Sequence, residues 1–394
     1  AQRDQATEPV LRAQRRAGSD TSTNTHLMRR ICFATGTRAE FGLMRTTLQA
    51  IRNHADRQLQ LTATGLHLDP AAGRSVDAIR HDGWTVDAEI PWGPTTDATQ
   101  LAIATGHATA GLAEAFDRLE TDIVLVVGDR VEALAAATAG HLLGRIVAHV
   151  HGGDRATGQA DDAMRHAITK LSHIHFPATP GSAERLLKLG EVPESIHMLG
   201  APGIDGITSA AAERQPDDPE SGTFALIVLH PTRDDVGAEF ETADRMLTAV
   251  RSSDLKAEIV MPNNDLGREG IARRWNEARD DADVRVHDDL PRPRFLRLMA
   301  NAAALVGNSS SGIIEAASFG TPVLDVGPRQ TGRERSGNVV HCDEAEVTGT
   351  LPQLLSRGRW TGTNVYGADG TGKRIADVLA GIDLSSIGAK LINY

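Results

Sequence analysis

The feature that most constrains this chain is a repeated order. Short apolar runs end in small or polar turns, and helical patterns follow them. ICFAT (31–35) ends in GTR and leads into a helical stretch from Glu40 to Ile51. LQLTAT (59–64) is the next run, and LAIATGHATAGLAEAFDRL (101–119) has helical spacing. DIVLVV (122–127) is followed by GDR and an Ala-rich helix, and IVAHV (146–150) by a Gly/Asp loop and a helix over 161–172. IHFPAT and SIHML read as later short strands. These runs are apolar throughout rather than alternating, as expected of parallel strands covered on both faces.

Residues 211–223, AAERQPDDPESGT, are polar, contain two prolines and read as a linker, after which the alternation restarts. FALIVLH (224–230), AEIVMP (257–262), VRVHDDLP (284–291), AALVG (303–307) and PVLDVG (322–327) are the strands expected there. The fold class is therefore α/β, with two Rossmann-like, doubly wound domains facing across a cleft. The expected division is a loose N-terminal arm (1–28), a first domain (29–210), the linker, a second domain (224–371), and a C-terminal helix and tail (372–394). The helix GKRIADVLAGI (372–382) fits against either domain.

Composition narrows the function classes. Against 41 Lys and Arg stand 52 Asp and Glu, a net charge of −11, which argues against nucleic acid or an anionic membrane as the partner. Cys32 and Cys342 are the only cysteines, so neither a disulfide framework nor a Cys-rich metal site is expected, and a reducing cytoplasm fits. No apolar run reaches the roughly 18 residues of a membrane span. Residues 1–28 have no apolar segment of the kind a signal peptide carries.

In doubly wound sheets, ligands sit beyond the carboxyl ends of the strands, so the residues just after each strand carry the most information. In NSSSG (308–312), Ser309, Ser310 and Gly312 offer backbone N–H groups and hydroxyls to a phosphate. Glu315, one to two turns into the helix that follows, is placed to hold ribose hydroxyls, and Arg329 and Arg333 to neutralise a diphosphate. The alternative is a plain helix cap with surface arginines. Arg38 in GTRAE points into the cleft from a helix start, or is a surface residue beside a turn. The densest stretch, 149–173, holds His149, His151, Asp154, Asp161, Asp162, Arg165 and His166. It reads as acid/base machinery, as a metal site through His-x-His and the paired Asp, or as a helix start capped by Asp161. Asp129 in GDR is a strand-end carboxylate suited to act as a base. His230 in HPTRDD closes the second domain's strand end, or is an ordinary satisfied histidine.

Taken in order, GTRAEFG (36–42), GDRVEALA (128–135), HGGD through RHAITKLSH (151–173), GAPGID (200–205), HPTRDD, PNNDLG (262–267) and GNSSSGIIEAASFGTPVLDVGPRQTGRE (307–334) resemble the hydrolysing UDP-N-acetylglucosamine 2-epimerases. The resemblance covers roughly residues 30–382. It implies a GT-B-like fold with the nucleotide on the C-terminal domain, no cofactor or metal, a nucleotide-sugar substrate, and a homodimer or homotetramer. By position it implies that Ser309, Ser310, Glu315 and Arg329 bind the nucleotide and that Arg38 and His230 face the diphosphate. Asp129 and Asp161 match the catalytic carboxylates and are expected as the acid/base pair, with His151 in place of the usual Glu. Asp154 and Arg165 are expected to bind substrate, and His67 matches a strand-end histidine near the sugar. Two positions depart from the pattern. The Glu typical before the Gly-Gly pair is His151 here, and the His often found before GDR is Val127. The reaction implied is elimination of the nucleoside diphosphate to a glycal, followed by hydration to the free 2-epimer. A nucleotide-sugar hydrolase without epimerisation, a GT-B glycosyltransferase and a nucleotide-sugar-binding regulator are the competing readings.

Overall fold

The computed structural model describes residues 28–390, apart from 71–72, 94, 96, 156–160, 213–214, 263–266, 289, 386 and 388–389. The expected N-terminal arm, Met28 excepted, lies outside the described residues.

Six parallel strands build the first sheet: β1 (Arg29–Thr35), β2 (Arg57–Thr64), β3 (Ala88–Ile90), β4 (Ile123–Val127), β5 (Ile146–Val150) and β6 (Ile174–Phe176). Their spatial order is β3-β2-β1-β4-β5-β6. The second sheet holds β7 (Phe224–Val228), β8 (Lys256–Val260), β9 (Val284–His287), β10 (Ala304–Gly307), β11 (Val323–Val326) and β12 (Val339–Cys342), ordered β12-β11-β10-β7-β8-β9. Each half thus begins with a central strand, winds outward, returns to the other side of that strand and winds outward again. The strands are parallel throughout, so every carboxyl end of a sheet lies on one edge. The switch in winding falls between β1 and β4 in the first lobe and between β7 and β10 in the second. Those are the crevices where ligands of such sheets bind.

The central strands are buried along their whole inner length. Ile31, Phe33, Ile123, Leu125, Leu226, Ile227 and Leu305 are essentially inaccessible, which accounts for their continuous apolar sequence. The Arg38–Arg52 helix turns Phe41, Met44, Leu48 and Ile51 onto the first sheet. Its start is fixed by a capping box: Thr37 accepts from the Glu40 N–H, and the Glu40 carboxylate accepts from the Thr37 N–H. The Thr371–Gly381 helix packs back on this same helix. A Cβ on Gly372 would lie 2.6 Å from the Thr47 nitrogen, so the close approach requires glycine there.

Two local expectations are corrected. SIHML forms no strand, because the Pro193–Ser195 3-10 turn and Gly200 bracket it and Ile196 makes only a single parallel bridge to His175. The helix after NSSSG spans only Ser310–Ile314, and Glu315 is its C-cap rather than a residue further along it. The strands β3 and β12, three and four residues long, leave no readable apolar run.

Candidate active site

At the first switch point, the loop after β1 is drawn down onto a buried carboxylate. Glu40 Oε2 accepts from the Gly36 N–H at 2.8 Å and the Thr37 N–H at 3.0 Å. Glu132, which follows β4, comes up from the other side and pairs with Arg130 at 3.2 Å. It lies so near that a Cβ on Gly36 would meet its Cγ at 2.4 Å. Burial, and next the neighbouring Glu132, push the Glu40 carboxyl up to about 7. Arg38 is exposed at the first residue of its helix, with its guanidinium beside Gly73. His67 is fully buried, with Nε2 at 3.0 Å from the Thr35 hydroxyl and Nδ1 at 2.8 Å from the Ser75 hydroxyl. Burial lowers its imidazole to about 4. With both nitrogens on hydroxyls, this ring ties the end of β1 to Ser75.

The turn after β5 carries the most distinctive arrangement. His151 is buried and sits at φ +65°, the left-handed region that costs a non-glycine residue about 1–2 kcal/mol. Its Nδ1 lies 3.0 Å from Asp154 Oδ2. Asp154 Oδ1 accepts from the Ser182 hydroxyl at 2.7 Å. Burial would raise the Asp154 carboxyl, but the His151 hydrogen bond and the nearby charges of His151, Arg165 and Arg333 outweigh it and hold the group well below the usual carboxylate range. An ionised carboxylate only accepts, so in the neutral His151 ring the proton is on Nδ1 and Nε2 keeps its lone pair. That Nε2 is buried and finds no hydrogen-bond partner among the described residues.

Arg165 underpins this turn. It is buried, donates to the His151 carbonyl at 3.1 Å and ion-pairs with Asp129. His149 is also committed: Nε2 lies 2.8 Å from the Gly128 carbonyl and Nδ1 3.2 Å from the Thr169 hydroxyl, and burial lowers it to about 3. A ring so engaged leaves no lone pair for a metal, which removes the His-x-His pairing from the metal reading. His166 lies 3.9 Å from Asp162 along the same helix. Asp161 opens the Asp161–Leu171 helix, and its side chain lies outside the described residues.

In the second lobe, His230 and Asn308 bridge the switch point reciprocally. The His230 N–H donates to Asn308 Oδ1, and Asn308 Nδ2 donates to the His230 carbonyl, each at 2.8 Å. Gln330 Nε2 donates to the Asn308 carbonyl, also at 2.8 Å. Ser309 caps the short helix by accepting from the Ser311 N–H, Ser310 is half-buried at its start, and Gly312 is packed against Leu305 and Val323. Glu315 is buried, with Oε1 held by Arg292 at 2.8 Å and Oε2 without a partner among the described residues. Burial raises its carboxyl despite Arg292. Arg329 lies half-buried in the Pro328–Gln330 turn after β11. Arg333 lies further along, at the junction between the lobes, beside Asp154, Arg185 and Tyr366.

The sequence reading singled out His151, Asp154, Arg165 and Asp129, and the structure joins them. It missed Ser182, Glu334, Glu132 and Glu40. Of these, Glu40 was legible as the T-x-x-E capping pattern from Thr37. A groove of about 750 Å³ between the Arg38–Arg52 and Thr371–Gly381 helices, lined by Arg45, Gln49, Lys373 and Asp377, contains none of the strand-end residues.

Two lobes of this winding, with acidic, histidine and arginine side chains gathered at their strand ends, define a GT-B-like fold. The chain belongs to the UDP-N-acetylglucosamine 2-epimerase family, whose family model matches residues 49–380. It is 38% identical over 371 residues to the UDP-N,N'-diacetylbacillosamine 2-epimerase (hydrolyzing) of Legionella pneumophila, covering 91% of this chain and 98% of that one. It is 30% identical over 373 residues to the UDP-N-acetylglucosamine 2-epimerase of Neisseria meningitidis serogroup B, covering 92% and 98%. A crystal structure of UDP-GlcNAc 2-epimerase from Neisseria meningitidis bound to UDP-GlcNAc shares the fold, with a TM-score of 0.75 and 18% identity over 90% of this chain and 100% of that one. These likenesses favour a nucleotide-sugar 2-epimerase over the hydrolase-only, glycosyltransferase and regulator readings. Among the described residues, no helix is long and apolar enough to cross a membrane.

Proposed function

We propose that this enzyme hydrolyses and epimerises a UDP-linked 2-acetamido sugar of the UDP-N,N'-diacetylbacillosamine or UDP-N-acetylglucosamine type, releasing the free 2-epimer and UDP. One observation carries the mechanism: among the described residues the buried Nε2 of His151 has no partner, while Nδ1 is held on Asp154. The C2 proton of the sugar is not adjacent to a carbonyl and is a poor acid, so departure of the leaving group must lead. The C1–O bond breaks with its electron pair passing to the diphosphate, and positive charge builds at C1. His151 Nε2 takes the C2 proton, and the C–H electron pair becomes the C1=C2 bond of a glycal. Water then adds its oxygen to C1, and a proton is delivered to C2 on the opposite face.

Arg38, Arg329 and His230 are the groups proposed to neutralise the departing diphosphate, with Ser309, Ser310 and Gly312 presenting the phosphate-facing turn and Glu315 taking ribose hydroxyls. Asp129, ion-paired with Arg165, is proposed to face the developing charge, and Asp161 to serve the opposite face of the ring. In this reading His67, Asp154 and Arg165 position other groups. We also assign the enzyme to a reducing cytoplasm, which suits the buried free thiols of Cys32 and Cys342, and to a homodimer or homotetramer.

The test is incubation with each UDP-sugar in D₂O, with products read by NMR. Free 2-epimer bearing deuterium at C2 is expected. A free sugar of unchanged configuration with hydrogen retained at C2 would instead mean hydrolysis without epimerisation.

A further inference from the structure

Glu334 connects the two lobes directly, from the segment between β11 and β12 that also carries Arg329 and Arg333. Its carboxylate reaches across to the Pro180–Lys188 helix of the first lobe. There it accepts from the Thr179 hydroxyl and, at 3.2 Å, from the Gly181 N–H. Arg185, on the same helix, lies 3.7 Å from it. A carboxylate at a helix start is favoured by the peptide dipoles, so this grip is attractive in both charge and geometry.

The gripped helix start is linked to the proposed base through Asp154. Thr179 Oγ1 accepts from the Ser182 N–H at 3.2 Å and lies 2.8 Å from the Ser182 hydroxyl. That hydroxyl donates to Asp154, whose other oxygen holds His151 Nδ1. Arg185 donates to the Gly153 carbonyl and, at 3.0 Å, to the Ser182 hydroxyl. The helix seats so closely that a Cβ on Gly153, at φ +80°, would lie 2.3 Å from the Ser182 carbonyl oxygen. The turn containing His151 therefore has little room to move independently of this helix.

We propose that Glu334 is a positioning residue that makes the orientation of His151 depend on closure of the nucleotide-binding lobe, acting through Thr179, Ser182 and Asp154. This rests on the reading of His151 as the base. When the lobes part, Glu334 leaves the helix start, Thr179 and Arg185 lose the charge that seats them, and the turn carrying Asp154 and His151 is free to shift with the helix. Proton abstraction is thereby confined to the closed, nucleotide-loaded state. This protects the diphosphate-linked sugar from partial reaction in an open cleft.

The test is steady-state kinetics with the UDP-sugar that the enzyme turns over, together with calorimetric titration of UDP, for Glu334→Gln, Ser182→Ala and the double variant. Each single variant should lower kcat about ten- to a hundred-fold, the range a displaced catalytic group costs. KM and UDP affinity should stay within about threefold. The double variant should fall little further than the worse single one, because both act through one chain of contacts. In a His151→Ala background, Glu334→Gln should change kcat by less than twofold. Independent, multiplying effects of Glu334→Gln and Ser182→Ala, or a loss confined to UDP affinity or thermal stability, overturn the coupling. Retention of near-full turnover by His151→Ala alone overturns the reading of the base instead, so the two failures are distinguishable.

Discussion

His151 and Asp154 share one tight turn, with Nδ1 3.0 Å from Oδ2, and His151 stands where the resemblance leads one to expect a glutamate before the glycine pair. In the proposed mechanism an imidazole that carries its own carboxylate takes the place of a carboxylate base. A neutral imidazole oriented by an acceptor on one nitrogen presents a lone pair on the other.

His151→Gln should lower turnover by about 10²–10⁴, the usual contribution of a placed acid/base group, while UDP affinity stays within about threefold. Asp154→Asn should cost less, since the ring remains but loses its fixed tautomer. Product release measured against UDP titration separates the two effects. Turnover of His151→Gln within threefold of the parent would exclude the imidazole as the base.

Glu315 tests the nucleotide side. Among the described residues its buried Oε2 has no hydrogen-bond partner, an unfavourable state for a carboxylate unless a ligand hydroxyl fills it. Glu315→Gln should weaken UDP binding about ten-fold or more, and the variant should lose its preference for UDP over a deoxyribose analogue. The protein itself should be no less stable than the parent at pH 7, because burial already disfavours the charged form. Calorimetric titration with the two nucleotides reads this directly, and equal discrimination by parent and variant would place the ribose elsewhere.

A pH effect follows from Glu40. Its carboxyl is raised to about 7 in the folded chain, chiefly by burial and then by Glu132. The folded state therefore binds a proton that the unfolded state releases nearer pH 4.3. A raised group supports the fold fully below its unfolded value, and that support is lost as pH rises through about 7. Urea midpoints of the parent minus those of Glu40→Gln should fall between pH 5 and pH 8. A difference that stays flat, or rises, would contradict the raised value.

Gly307, the last residue of β10, has φ +144°, and a Cβ there would lie 2.1 Å from the Val228 carbonyl oxygen. Gly307→Ala should destabilise the second lobe by at least about 1–3 kcal/mol through backbone conformation alone. It should also disturb the Asn308–His230 pairing next to it. Thermal unfolding and UDP titration measure the two consequences. An alanine variant with unchanged melting and UDP affinity would contradict the close approach.

Strand and helix order was legible because each central strand is buried on both faces and therefore spells a continuous apolar run. DIVLVV and FALIVLH left no other reading, whereas the edge strands β3 and β12 were too short to register. Within the site, residues following a strand could be found by position, and His151, Asp129 and Asn308 all follow one. Ser182 and Glu334 could not. Neither follows a strand directly, and their importance arises only from packing between distant segments, which a linear pattern does not encode. His67 shows the converse limit. Its place at a strand end was readable, but the two hydroxyls that occupy its ring, Thr35 and Ser75, come from separate loops.

The return of the Thr371–Gly381 helix onto the first lobe means that the polypeptide passes between the halves twice, once near residues 205–223 and again near 357–370. Arg29, at the start of β1, donates to the Leu379 carbonyl at 2.6 Å near the end of that helix, which ties the first strand to the last helix. Scission near 357–370 would leave the halves covalently joined through the first crossing, whereas scission of the first crossing would leave them held by the packing of this helix on the Arg38–Arg52 helix.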